Sequence, residues 1–96
     1  MLAPHQHQAN QQNSSSSVDH LVRQTIEEVT GNALSDVLPG ADLVEDLGIS
    51  GTEMLKIMKK IEFTLDLEFP THVKSELLGS VTVQDLVEII AEEYEY

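Results

Sequence analysis

The side chains with the clearest chemical pattern are the hydroxyls and the acid in the run "ISGTEML". Ser50 and Glu53 are three residues apart in it. At this spacing a serine hydroxyl accepts from the third backbone N–H of a helix while the carboxylate reaches back to the serine N–H. The pattern predicts a helix that begins at Ser50 with Ser50 as its cap. Gly51 follows, and a glycine there costs up to about 1 kcal/mol relative to alanine, so it does not serve helix stability.

Histidines provide no catalytic set. His20 and His72 lie on separate predicted elements with no motif around either, and His20 fits an exposed position on the first helix. No acid–base pair or activated nucleophile is recognisable, so we expect no enzymatic activity. His5 and His7 could hold a metal only with a third ligand, so we expect no metal site.

The charge balance is strongly acidic, with 17 acidic and 5 basic residues and a formal net charge of −12. Such a protein is repelled by nucleic acid and by anionic membranes, so a partner with a basic docking patch is expected. The alternative is that the acidity only keeps a small domain soluble. No cysteine and no signal-peptide pattern are present, and we expect a monomeric domain in the cytoplasm.

Composition divides the chain into two parts. Residues 1–17 are mostly Gln, Asn and Ser and predict a disordered tail or linker, because they offer little to bury. Residues 18–96 predict one small domain. Its first helix carries an apolar stripe from Val18 to Val29 and ends at Gly31 and Asn32.

A long connector, residues 32–48, is predicted to be pinned to the core by Leu34, Val37, Leu38, Leu43, Val44 and Leu47. The second helix has a predicted buried edge of Met54, Met58, Ile61 and Leu65, with Leu55 and Ile57 alongside. Pro70 ends this region, and at most a short helical turn follows on Val73, Leu77 and Leu78. Thr82 and Asp85 predict the start of a last helix, whose inward face is Leu86, Val87, Ile89, Ile90 and Tyr94. The fold class expected is all-α, with three main helices and one short helix.

Three pieces in this order, "ADLVEDLG", a helix closing on "KIEFTLDLEFP", and "SVTVQDLVEII", resemble an acyl carrier protein of fatty acid or polyketide synthesis. The resemblance covers about residues 18–93. It implies a right-handed four-helix bundle that carries an acyl chain as a thioester on a 4'-phosphopantetheine arm. The implied partners are a ketosynthase, an acyltransferase and a phosphopantetheinyl transferase.

The family attaches the arm to the serine of an Asp-Ser-Leu triplet at the start of the second helix. In that register Ser50 matches the aspartate, Gly51 the serine and Thr52 the leucine, so the acceptor hydroxyl is missing. Ser50 as a displaced acceptor remains an alternative to Ser50 as a cap, although a shift of one residue turns a helix by about 100°. Thr52 is a weaker alternative acceptor. The cofactor is therefore implied by the family but expected to be absent from this chain.

Lys56, Lys59 and Lys60 are a second departure, because the family usually presents an acidic second helix to basic patches on its enzymes. The lysines could balance the nearby acids Glu53 and Glu62 on a solvated face, or they could reverse the docking charge. Glu53 and the three lysines are the candidate partner-binding residues. The expected function is an acyl carrier domain with an altered arm site, and the alternative is an interaction module that acts only by docking.

Overall fold

A computed structural model describes the backbone of residues 3–95 and the side chains of residues 17–94. It contains four α-helices, α1 (Ala3–Thr30), α2 (Gly51–Leu65), α3 (Thr71–Leu78) and α4 (Val83–Glu95), and a 3₁₀ turn at Leu34–Asp36. Helix α1 packs against α2 and α4, and α3 packs against α4. No strand occurs among the described residues, which confirms the prediction of an all-α four-helix bundle.

Helix α1 begins well before its predicted start. The disorder predicted for residues 1–17 stays a prediction, and the helix extends back to Ala3. Its alanines and glutamines are good helix formers, no glycine lies between Ala3 and Thr30, and Pro4 is in the first turn, where a missing N–H costs nothing. The side chains of residues 1–16 lie outside the described residues, so a domain boundary at Val18 stays a prediction.

The core is formed by the apolar stripes of the four helices and by anchors from the connector. Its buried members are Val18, Val22, Ile26, Val37, Leu43, Leu47, Ile49, Met54, Ile57, Met58, Ile61, Phe69, Val73, Leu77, Val83, Leu86, Val87 and Ile90. Thr25 is also buried, and its hydroxyl donates to the Leu21 carbonyl at 2.7 Å, which satisfies the polar group.

The first helix ends where the sequence predicts. Gly31 has φ +82°, a left-handed conformation that glycine adopts without strain, and its N–H donates to the Glu27 carbonyl at 2.9 Å. The side-chain amide of Asn32 then donates to the Leu47 carbonyl at 2.9 Å. This bond joins the two ends of the connector.

The connector is ordered by a few anchors. Val37, Leu43 and Leu47 are buried as predicted, but Leu38 and Val44 are more than half exposed, so their prediction as anchors is wrong. Ile49, which was not predicted, is buried instead.

Arg23 of α1 fastens the first half of the connector. Its Nε donates to the Val37 carbonyl at 2.7 Å and its Nη2 donates to the Leu34 carbonyl at 3.3 Å. The Val37 carbonyl gains a donor in this way, and the Leu34 carbonyl, which also accepts from the Val37 N–H at 3.1 Å, gains a second donor.

The second half of the connector is bonded to the segment that leads into α4. The Leu43 N–H donates to the Val81 carbonyl at 2.8 Å, and the Val83 N–H donates to the Ala41 carbonyl at 3.1 Å. Asp42 and Thr82 form an isolated antiparallel bridge between them.

Helix α2 buries Met54, Ile57, Met58 and Ile61, and it ends at Leu65 because Asp66 adopts a left-handed conformation with φ 55°. Leu55 is exposed, so its predicted place beside the core is wrong. Helix α3 has Pro70 as its N-cap residue. It has 8 residues and is longer than the short turn predicted. Tyr94 near the end of α4 is also exposed, contrary to its predicted inward position.

Candidate functional site

The start of α2 is closed by a reciprocal pair of hydrogen bonds. The Glu53 N–H donates to the Ser50 hydroxyl at 3.1 Å, and the Ser50 N–H donates to the Glu53 carboxylate at 3.1 Å. Ser50 has φ −83° and ψ 167°, the extended conformation of a helix cap. The predicted cap is therefore confirmed. The Glu53 carboxylate, a candidate for partner binding, serves this cap.

Apolar residues on both sides of the cap fix the direction in which the chain enters α2. Ile49 precedes the cap and Met54 is the fourth residue of the helix, and both are buried. This arrangement is that of a hydrophobic staple. The entry is preceded by Gly48, whose φ of +65° turns the chain into the extended Ile49 and Ser50.

Gly51 is the first residue of α2 and is exposed. A Cβ atom added at Gly51 would meet nothing within 4 Å, so the structure has room for a larger residue at this point. Thr52, the next residue, is also exposed. The three predicted arm-site residues thus lie at one exposed helix start, where Ser50 has its hydroxyl in the cap and Gly51 has no side chain.

A small apolar cleft adjoins Gly51. Its volume is about 110 Å³, and it is lined by Leu43, Val44, Ile49, Met54 and Leu78 together with polar atoms at Ser50, Gly51 and Ser80. Pockets that enclose small ligands usually measure about 300–1,000 Å³. In this conformation the cleft can accept the edge of an apolar group but cannot enclose a long one.

Lys56, Lys59 and Lys60 are all exposed on α2. Lys60 lies 3.6 Å from the Glu28 carboxylate of α1, and both side chains are about half exposed. The predicted balance with Glu53 and Glu62 is not found among the described residues. Glu53 caps α2, and the Glu62 carboxylate accepts from the Phe69 N–H at 2.8 Å.

Phe63 is a surface feature that the sequence analysis missed. Its side chain is 88% exposed, and it follows the exposed Lys59 and Lys60 on the same helix. The available signal was its position, because a residue three or four places after exposed lysines lies on their face rather than on the core face.

The start of α4 repeats the capping chemistry in a more enclosed setting. The Asp85 N–H donates to the Thr82 hydroxyl at 3.2 Å, and the Asp85 carboxylate accepts from the Thr82 N–H at 3.1 Å and from the Val81 N–H at 3.0 Å. The bonds from Val81 and Thr82 hold the pKa of the Asp85 carboxyl below its usual value.

Histidines and metal ligands do not converge on this site. His20 is exposed on α1 and His72 is exposed on α3. Within residues 17–94 no group of three or more His, Asp or Glu side chains is arranged to hold a metal ion. The side chains of His5 and His7 lie outside the described residues.

Comparisons with known proteins give no family. No model of a known protein family matches the chain, and no curated protein matches it either. Among the described helices, none combines the length and the apolar content that a membrane crossing requires.

Proposed function

We propose that this chain is an acyl-carrier-like domain of a fatty acid or polyketide synthase system in which residue 51 occupies the arm position. The observation that supports this best is the start of α2. Gly51 is the first helical residue, it is exposed with open space where a side chain would be, and an apolar cleft lies beside it. A carrier needs this combination, since its arm must be reached by enzymes while its cargo is apolar.

The cap supports residue 51 over Ser50 as the arm position. The Ser50 hydroxyl accepts the Glu53 N–H at 3.1 Å and lies at the extended residue before the helix. Attachment of a phosphodiester there would disturb this cap, which is worth about 1 kcal/mol. A side chain at residue 51 would leave both capping bonds in place. Since Gly51 offers no hydroxyl, the unaltered chain bears no phosphopantetheine under this proposal.

A second candidate function is a docking module that never carries an arm. The observation in its favour is Gly51 itself, because a helix start with no acceptor hydroxyl can still present its exposed residues to a partner. Under either function the protein would contact the acyl-processing enzymes of a synthase. They differ in whether a transferase accepts the surface around residue 51.

Loading by a phosphopantetheinyl transferase separates the two functions. The chain and the variant Gly51→Ser are incubated with coenzyme A and a transferase of broad specificity, and intact mass is measured. We expect no change for the unaltered chain and an added mass of one phosphopantetheine for Gly51→Ser, mapped by fragmentation to residue 51. Gly51→Ala is the matched control, since it adds a Cβ without a hydroxyl.

Each other outcome points to a definite alternative. Modification of the unaltered chain at Ser50 would overturn residue 51 as the arm position and make the chain an active carrier. Failure of a folded Gly51→Ser variant to load, checked by circular dichroism, would favour the docking module. Ser50 and Thr52 in place of the usual Asp and Leu predict slow loading, so the reaction is followed to completion.

A further inference from the structure

The exposed side of α2 carries a continuous stripe of Lys56, Lys59, Lys60 and Phe63, which we call the lysine–phenylalanine face. Steps of three and four residues place these side chains on one side of the helix. The core side of α2 is formed by Met54, Ile57, Met58 and Ile61. Phe63 and the lysines therefore point away from the bundle, and all four residues are exposed.

The Phe63 side chain is hardly buried by the fold. At 88% exposure it is the most exposed of the large apolar side chains described in the structure. Burying an aromatic ring is one of the larger favourable terms in protein association. A ring left in water beside lysines is thus a candidate anchor for a partner.

Open clefts lie on both sides of Phe63. One, of about 400 Å³, runs between α1 and α2 and is floored in part by Leu21 and Thr25. The other, of about 520 Å³, extends toward Leu67 and Lys74. Lys59 and Phe63 border both clefts. The aromatic ring is consequently a ridge between two depressions, a shape that side chains of a partner can straddle.

The face itself carries three lysines and no acid, whereas the net charge of the protein is −12. Lys74 lies beyond Phe63 in the second cleft, whose lining also includes Glu62, Asp66 and Glu68. Within the described residues Lys56 and Lys59 make no ion pair, and the pair of Lys60 with Glu28 is half exposed, so it is worth little. These lysine ammonium groups are available to carboxylates from outside.

We propose that the lysine–phenylalanine face binds a short acidic segment of a partner protein, with an apolar side chain of that segment against Phe63 and its carboxylates at Lys56 and Lys59. From Lys56 to Phe63 the helix rises about 10 Å, close to the screening length of about 8 Å at physiological salt. An acidic segment of about that length interacts mainly with the nearby lysines, because more distant charges are screened. A long polyanion such as nucleic acid, or an anionic membrane, also meets the acidic remainder of the protein and is repelled. The proposal does not depend on loading at residue 51.

The test is a titration of the isotopically labelled full chain, followed by amide NMR shifts. The probe is a synthetic amphipathic peptide with glutamates on one face and leucines on the other, and the control peptide has lysines in place of the glutamates. We expect saturable shifts centred on residues 56–63 with the acidic peptide and none with the basic peptide. Added salt should weaken the binding.

Variants assign the binding to its two components. Phe63→Ala should weaken the acidic peptide about tenfold, because a central aromatic anchor is lost. Lys59→Gln should weaken it about threefold, as expected for one exposed charge pair, while Lys59→Arg should retain it. The controls are Leu38→Ala, which removes an exposed apolar side chain elsewhere, and Gln84→Glu, which makes the same change in net charge on α4. Both controls should leave the affinity unchanged.

Four results of the titration and of sedimentation would overturn the proposal. They are no binding of the acidic peptide, equal binding of the two peptides, shifts centred away from residues 56–63, and a Phe63-dependent dimer of the chain in sedimentation, which would make a second copy the occupant. Equal affinity for vesicles of anionic lipid would assign the face to a membrane instead and would also overturn it. None of these results affects the mass measurement on Gly51→Ser.

Discussion

The starts of α2 and α4 use the same capping chemistry but differ in what surrounds them. Each has a hydroxyl residue that accepts the third helical N–H and an acid that accepts the cap N–H, at Ser50 with Glu53 and at Thr82 with Asp85. The first residue of α4, Val83, is fully buried. The first residue of α2 is an exposed glycine.

This difference separates a structural helix start from one available to other molecules. At α4 the backbone is bonded to the connector and the Asp85 carboxylate takes an additional N–H from Val81. At α2 the cap supplies the local order while the first turn faces solvent. A capped but exposed start keeps the helix in place and leaves its first turn free to change, which is why chemistry is proposed at residue 51.

The largest expected effect is at the first residue of α4. Val83→Ala removes a fully buried side chain and should cost roughly 2 kcal/mol of unfolding free energy, measured in urea. At the corresponding position of α2, Gly51→Ala should cost nothing. Equal destabilisation at the two positions would contradict the contrast between the helix starts.

The caps themselves should contribute equally. Ser50→Ala should lower the unfolding free energy by about 0.5–2 kcal/mol, because the Glu53 N–H loses its acceptor. Thr82→Ala, which removes the matching hydroxyl, should lower it by a similar amount in the same urea measurement. A change within error for Ser50→Ala would remove the structural role of the hydroxyl and favour Ser50 as a free acceptor.

Gly51→Ala should stabilise the protein by up to about 1 kcal/mol. The new Cβ meets no atom within 4 Å, and alanine is a better helix former than glycine. Gly48→Ala is the matched control, and it should destabilise because Gly48 has φ +65°. A loss of stability in Gly51→Ala would show that the first turn of α2 needs the freedom of glycine.

The smallest expected effect is the pH-dependent contribution of Asp85, an accessible carboxylate whose interactions water screens. Its pKa is lowered in the fold by bonds from Val81 and Thr82, so its ionised form stabilises the protein above the unfolded pKa of about 3.9. That contribution is lost as the pH falls through the lower, folded pKa. The difference in unfolding free energy between the protein and Asp85→Asn should therefore shrink below about pH 4. A difference independent of pH would mean that the charge of Asp85 does not stabilise the helix start.

Local chemistry explains what the sequence predicted well. The cap at Ser50, the end of α1 at Gly31 and the pair of Thr82 with Asp85 depend on residues within a few positions of each other, and all three are found. The all-α class follows from the helical spacing of apolar residues in the same way. These features need no knowledge of the rest of the chain.

Choices made by tertiary packing were not predictable to the same degree. Leu38, Val44 and Leu55 are as apolar as their buried neighbours, yet the path of the connector turns Leu38 and Val44 outward, and Leu55 lies on an outer side of α2. The pair of Lys60 with Glu28 joins two helices that are distant in sequence. The open space at Gly51 and the clefts beside Phe63 likewise depend on where other elements lie.

The bonds between the connector and α4 have a consequence for hydrogen exchange. Leu43, Val83 and Gln84 donate across this junction, and Arg23 holds the preceding turn, so the connector cannot detach while the start of α4 stays formed. We expect the amides of Leu43 and Val83 to exchange with deuterium at a common rate, as one cooperative opening unit. The amides of Glu53 and Met54 at the start of α2 lie outside that unit, so this turn can fray and reform without disturbing the junction that holds the loop in place.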